Sequence, residues 1–290
     1  MNKAKAGDRQ AFAKLLTWLE NAPASWSLSL TELFQSTKPS FRVGITGPPG
    51  AGKSTLVGGL IKRLRQKGLR LGIMAVDPSS PFTHGAILGD RIRYAEYATD
   101  PDVFIRSLGT RGSLGGLSSS AFLMARAFDV CDFDLVLIET VGVGQTELDI
   151  LHVADKVCVV LVPESGDSIQ AMKAGLMEIA DLFVVNKGDR PGADGLVREI
   201  QISLTESEGA ETPSAEVIKC TATAGEGLNE LSDWILRERD KGHVDRNSSK
   251  RLQEEAKALL RADFERSLKD KLVGIQSLTE VRALFPDVSK

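Results

Sequence analysis

The chain has 290 residues, of which 42% are hydrophobic and 26% charged, enough for one large domain with appendages or at most two, and unlike the compositions of disordered or collagen-like chains. Its 36 Lys and Arg nearly balance 39 Asp and Glu for a net charge of -3, so no global basic field draws in nucleic acid or an anionic membrane, and any bound anion must be gripped locally. Cys131, Cys158 and Cys220 show no short paired spacing, and His84, His152 and His243 are scattered, which argues against a disulfide framework or thiolate metal cluster and suits a reducing compartment.

Phe12, Leu15, Leu16 and Leu19 recur at helical spacing before a break at Lys38-Pro39-Ser40, so residues 1–40 are expected to form an N-terminal helical extension outside the main sheet. With Asp8 and Glu20 and no secretory apolar stretch in the first twenty residues, and no run approaching the ~18 apolar residues of a spanning helix, the expectation is a soluble cytoplasmic protein. From Phe41 the texture changes to short apolar runs separated by helical stretches. The runs are FRVGIT (41–46), LRLGIMAV (69–76), VFIRS (103–107), FDLVLIE (133–139), KVCVVLV (156–162), LFVVN (182–186) and AEVIKC (215–220). Runs this apolar, without strict alternation, predict a doubly wound, mostly parallel sheet over residues 41–240, buried on both faces. Residues 241–290 are charged and segmented. Leu252, Ala256, Leu259, Leu260, Phe264 and Leu268 form a helical stripe there that must cover something, on this chain or on a second copy.

The first strand runs into Gly47-Pro48-Pro49-Gly50-Ala51-Gly52-Lys53-Ser54, a G-x-x-x-x-G-K-S followed by Thr55 and a helical stretch. This strand, loop and helix order is the setting of a phosphate-binding loop. Backbone N–H groups curl round a phosphate, the helix N-terminus adds its dipole, Lys53 bridges the outer phosphates and Ser54 ligates Mg²⁺. Further on, the strand LFVVN leads into Asn186-Lys187-Gly188-Asp189. A carboxylate at Asp189 can accept two hydrogen bonds from N1 and N2 of guanine, a donor pair that adenine lacks, so GTP is the expected nucleotide. The segment CTATAGEG after the last strand would line the base with the backbone of Thr221 and Ala222.

Glu139 ends a strand where a carboxylate can orient Mg²⁺ and its waters, and Gly142 can offer its N–H to the γ-phosphate. Asp77 and Asp90 are two further metal-side carboxylates in this reading, beside the ordinary alternatives of helix caps and turns. Arg91, Arg106 and Arg111 are candidates to neutralise transition-state charge, or else surface ion-pair partners.

The ordered set GITGPPGAGKST, AVDPSSP with ILGDRIRY, FIRS with RGSLGGL, IETVGVGQTE and VVNKGD resembles the MeaB/ArgK group of GTPases, which attend adenosylcobalamin-dependent methylmalonyl-CoA mutase. The likeness runs from about Phe41 to Asp189 and more loosely through GEGLNEL (225–231). It implies a P-loop GTPase fold of the SIMIBI class, a homodimer, and a chaperone that couples GTP binding and hydrolysis to cofactor loading and protection of an acyl-CoA mutase of the methylmalonyl type. By motif, Gly50, Gly52, Lys53, Ser54 and Thr55 would bind phosphates and metal, Asp77, Asp90 and Glu139 would surround Mg²⁺, and Asn186, Lys187 and Asp189 would hold guanine. Switch segments would fall near 90–111, 139–147 and 163–175, the last carrying Asp167, Gln170 and Lys173 toward a partner. PFTHG, SLGT and the short C-terminal tail depart from the family pattern.

Gln145 lies three residues after Gly142, not the two of a ready water-positioner, so slow intrinsic hydrolysis with partner-dependent switch movement is expected. Two other classes share the phosphate machinery. A nickel metallochaperone would want thiolate or imidazole ligands on a movable segment. A small-molecule or protein kinase would want an acceptor pocket with a base, and ATP.

Overall fold

A computed structural model of the chain describes residues 1–21, 33, 38–77, 94–109, 119–140, 146–163, 177–206, 215–242, 252–261 and 264. All seven apolar runs are strands: β1 (Phe41–Thr46), β2 (Leu71–Asp77), β3 (Val103–Gly109), β4 (Leu135–Thr140), β5 (Lys156–Leu161), β6 (Leu182–Val185) and β7 (Glu216–Lys219). They pair in the order β3-β2-β4-β1-β5-β6-β7, with every pairing parallel. The helices include α1 (Asn2–Lys5), α2 (Arg9–Asn21), α3 (Lys53–Gln66), α4 (Ser119–Val130), α5 (Thr146–Val153), α6 (Ala193–Glu206) and α7 (Leu228–Asp240). None among the described residues is long and apolar enough to cross a membrane.

The period-2 alternation of a strand sorts side chains onto two faces. Along β4, Val136 and Ile138 enter one core with Phe128 and Ile150, while Leu135 and Leu137 enter the other with Leu56, Leu60 and Trp234. Leu56, Leu60 and Leu64 stand four apart on α3 and are fully buried, so one stripe of that helix seals the sheet. Each such side chain contributes about 1.5–3 kcal/mol relative to exposure.

The N-terminal helix α2 packs into the core on one face of the sheet through Phe12, Leu16 and Leu19. Phe12 packs edge-on to Phe104 and Phe128 at 4.7 and 5.1 Å between ring centroids. Arg9 donates to the carbonyls of Ala98, Asp100 and Val103, and Arg106 pairs with Glu20, so α2 is clamped along β3.

In the C-terminal stretch, the apolar stripe is split between core and surface. The helix over 252–261 buries Glu255 in a two-pronged pair with Arg126, at 3.1 and 2.7 Å, and sets Ala258 and Leu259 against the core. Leu252, Leu260 and Phe264 stay exposed.

The crossovers position the site. After β1 the chain passes to α3 on one face, and after the neighbouring β4 it passes to α5 on the other. Adjacent strands whose connections diverge leave a crevice outside their carboxyl ends, where ligands of such sheets bind.

Candidate functional site

The loop from Gly47 to Gly52 closes the end of β1 and delivers the chain into α3. Gly47 has φ +136, and a Cβ there would stand 2.1 Å from the Val160 carbonyl oxygen. Gly52, at φ +83, caps α3 without a side-chain bond to the helix N–H groups, and a Cβ there would stand 2.5 Å from Asn186 Nδ2. Only glycine serves at either position. The N-terminal N–H groups of α3 thereby face the crevice with their positive dipole end, a setting for anions. Lys53 is buried and folds over the loop, its Nζ donating to the carbonyls of Gly47 at 2.6 Å and Pro48 at 3.0 Å.

A carboxylate corner adjoins the loop. In β4 the alternation that turns Leu135 and Leu137 toward α3 also turns Glu139 that way. Its Oε1 accepts from Ser54 Oγ at 2.6 Å and its Oε2 from Tyr94 Oη at 2.5 Å, with Glu139 itself buried. Thr140, facing the other way, donates to Thr46 Oγ1 at 2.9 Å and ties the ends of β4 and β1 together. A cleft of about 670 Å³ opens here, lined by Pro49, Gly50, Gly52, Lys53, Ser54, Thr55, Gly58, Gly59, Glu96 and Glu139.

The loops after β6 and β7 meet the phosphate loop from the other side. Buried Asn186 donates through Nδ2 to the Ala51 carbonyl at 2.8 Å and accepts through Oδ1 from the Ala222 N–H at 3.1 Å. Lys187 adopts a left-handed backbone, φ +56, which turns Asp189 out to an exposed position. The Gly188 N–H donates to the Cys220 carbonyl at 2.8 Å. Thr221 closes the second loop through its N–H to the Glu226 carbonyl and through its own carbonyl, which accepts from Ala224 and Gly225. Arg63 of α3 braces that loop, donating to the Gly225 carbonyl at 2.9 Å and to Asn229 Oδ1 at 2.7 Å.

The fold thus brings Gly47 to Thr55, Glu139, Asn186, Lys187, Asp189, Thr221 and Ala222 to the carboxyl edge of one sheet. Asp77 ends β2 at that same edge, since Ala75 is the register partner of Glu139. Asp90, Gly142, Gln145, Arg91, Arg111 and the 167–173 segment lie outside the described residues. Arg106 goes to the ion pair with Glu20. Tyr94 and Arg63 were missed by sequence reasoning. Tyr94 ends the quoted ILGDRIRY, where an aromatic reads as ordinary core; Arg63 sits on a helix face where an arginine reads as solvated.

All three cysteines are buried. Burial pushes the Cys131 thiol up to about 11 and Cys220 up to about 12, and raises Cys158 as well. All three side chains pack in the two cores on either side of the sheet.

Residues 12–276 match the family model described as Methylmalonyl Co-A mutase-associated GTPase MeaB. A relative from Pyrococcus abyssi is 45% identical over 270 residues, covering 90% of this chain and 82% of its own. GTPase ArgK of Escherichia coli is 37% identical over 244 residues, covering 81% of this chain and 74% of its own. A crystal structure described as LAO/AO transport system kinase shares the fold, with a TM-score of 0.65 and 23% identity over 94% of this chain and 83% of that one.

Proposed function

The chain belongs to the MeaB family of GTPases, and from that membership we propose a GTP-binding and GTP-hydrolysing chaperone that assists cofactor loading and protection of an adenosylcobalamin-dependent acyl-CoA mutase. The observation that carries the nucleotide half is Asn186, which bonds at once to the phosphate loop and to the loop expected to line the base. The mutase half rests on the family description alone.

In this reading the N–H groups from Gly50 to Thr55 cradle the β- and γ-phosphates. Lys53 exchanges its two loop carbonyls for phosphate oxygens, so its charge is spent on the reacting group. Ser54 and Glu139 gather hard oxygen donors at the cleft, the set that suits Mg²⁺. They would hold the ion, Ser54 directly and Glu139 directly or through water, with Asp77 and Asp90 on the same side. When bound, the ion neutralises charge on the phosphate oxygens. Gly142 would offer its N–H to the γ-phosphate. Asp189, with Asn186 and Lys187 before it and the backbone of Thr221 and Ala222 opposite, would accept the two guanine donors.

We further take residues 41–240 as the GTPase domain, flanked by helical extensions over 1–40 and 241–290, in a cytoplasmic homodimer. The exposed Leu252, Leu260 and Phe264 supply an apolar stripe that a second copy would cover.

The test is nucleotide titration with GTP and ATP, followed by GTPase rates with and without candidate cobalamin mutases. Guanine preference and a rate that changes with one mutase are expected. ATP preference would overturn the base assignment, and the absence of any nucleotide-dependent mutase binding would overturn the chaperone role.

A further inference from the structure

Tyr94 is almost fully buried, at 1% exposure, beneath the face of the sheet that α3 covers. Burying a phenol there requires a partner for its hydroxyl. That partner is Glu139 Oε2 at 2.5 Å, while Ser54 takes Oε1 at 2.6 Å. Both oxygens of one buried carboxylate are therefore engaged, by donors from different parts of the chain. Hydrogen bonds to an ionised acceptor are short and strong, and two on opposite oxygens restrict rotation of the carboxylate. The turn that follows, Ala95–Tyr97, is itself anchored: Tyr97 Oη donates to the Gly58 carbonyl of α3 at 3.1 Å. Tyr94 thus hangs from a segment fixed to the same helix that carries Ser54.

We propose that Tyr94 is a positioning residue that holds Glu139 in the orientation facing Ser54 and so sets the affinity of the nucleotide site for its divalent cation. The inference rests on the metal-side reading of Glu139. Partners that orient a metal-side carboxylate matter even though they never touch the metal, because they remove the freedom the group would lose on binding. A phenylalanine at 94 keeps the ring and its packing and removes only the donor.

The experiment follows a fluorescent GDP or GTP analogue bound to the full chain while Mg²⁺ is titrated, with parallel titrations in EDTA. Tyr94→Phe is expected to raise the half-saturating Mg²⁺ concentration on the order of tenfold and to leave nucleotide affinity in EDTA within about twofold of wild type. In a Glu139→Gln background the same change is expected to have no further effect, since the two act through one contact. A merely structural tyrosine would move both titrations together or neither. An unchanged Mg²⁺ midpoint in Tyr94→Phe, with Glu139→Gln strongly shifted, overturns the role of Tyr94 and leaves the site reading intact. If Glu139→Gln also binds Mg²⁺ and nucleotide as wild type does, the metal-side reading itself fails. A Tyr94→Phe effect that persists in full in the Glu139→Gln background overturns the proposal too.

Discussion

Asn186 Nδ2 donates to the Ala51 carbonyl at 2.8 Å, across 135 residues of sequence, and so ties the end of β6 to the glycine-rich loop before α3. The same side chain accepts from Ala222. Replacing it with alanine leaves a carbonyl and an N–H without that partner, at about 1–3 kcal/mol. Asn186→Ala is expected to weaken GTP and GDP alike by about tenfold or more, measured by isothermal titration, because both nucleotides need the two loops in register. A loss confined to GTP would contradict this coupling.

The Lys53 ammonium donates to the loop carbonyls of Gly47 and Pro48. Lys53→Ala is expected to cost on the order of 10²–10³ in turnover with an unchanged far-ultraviolet circular dichroism spectrum. Undiminished hydrolysis would remove the phosphate role from this loop.

Asp189 stands exposed on the turn after β6. An amide cannot accept both guanine donors equally well, so Asp189→Asn is expected to lose GTP affinity and gain affinity for xanthosine triphosphate. Competition binding with the two nucleotides reads the exchange directly, and retained guanine preference would place the base elsewhere.

At the opposite end of β1, Asp129 accepts from Ser40 Oγ at 2.6 Å and from the Ser40 N–H at 3.0 Å, and pairs with buried Arg42. Removing the carboxylate strands a guanidinium in the core. Asp129→Ala is therefore expected to lose about 3–5 kcal/mol in urea unfolding. Nucleotide affinity of the folded variant should stay near wild type, because the pair sits at the amino end of the strand and the cleft at its carboxyl end.

Asp100 holds the Arg65 guanidinium at 2.9 Å, and that hydrogen bond keeps its carboxyl below the ordinary 3.8. A carboxylate depressed in the folded state stabilises above its unfolded value and loses that stabilisation as pH falls through the folded one. Asp100→Asn should therefore be less stable than wild type near neutrality, and the gap should close below pH about 4. Thermal melts of the two proteins across that range measure it. A gap that widened in acid would contradict the sign.

Much of the site was legible because its chemistry is local. Gly47, Gly50, Gly52, Lys53 and Ser54 lie within eight residues, and backbone geometry allows few ways to follow a buried strand with a glycine-rich loop and a helix. Glu139 was legible as a strand-end carboxylate. Its two bonds were not, since Ser54 and Tyr94 reach it from 85 and 45 residues away. The C-terminal stripe was legible as a helix over 252–261, but which of its residues meet the core was not, because periodicity reports amphipathicity and cannot know that Glu255 would find Arg126.

Sequence alone determined seven strands, the glycine-rich loop before α3 and the turn bearing Asp189, all consequences of hydrophobic runs and short-range backbone constraints. Tertiary structure alone decided the strand order, the face to which Glu139 turns, and the contacts of Tyr94, Asn186 and Arg63. Those depend on which distant segments the crossovers bring side by side, and a hydrogen bond between residues far apart in the chain leaves no periodicity to read.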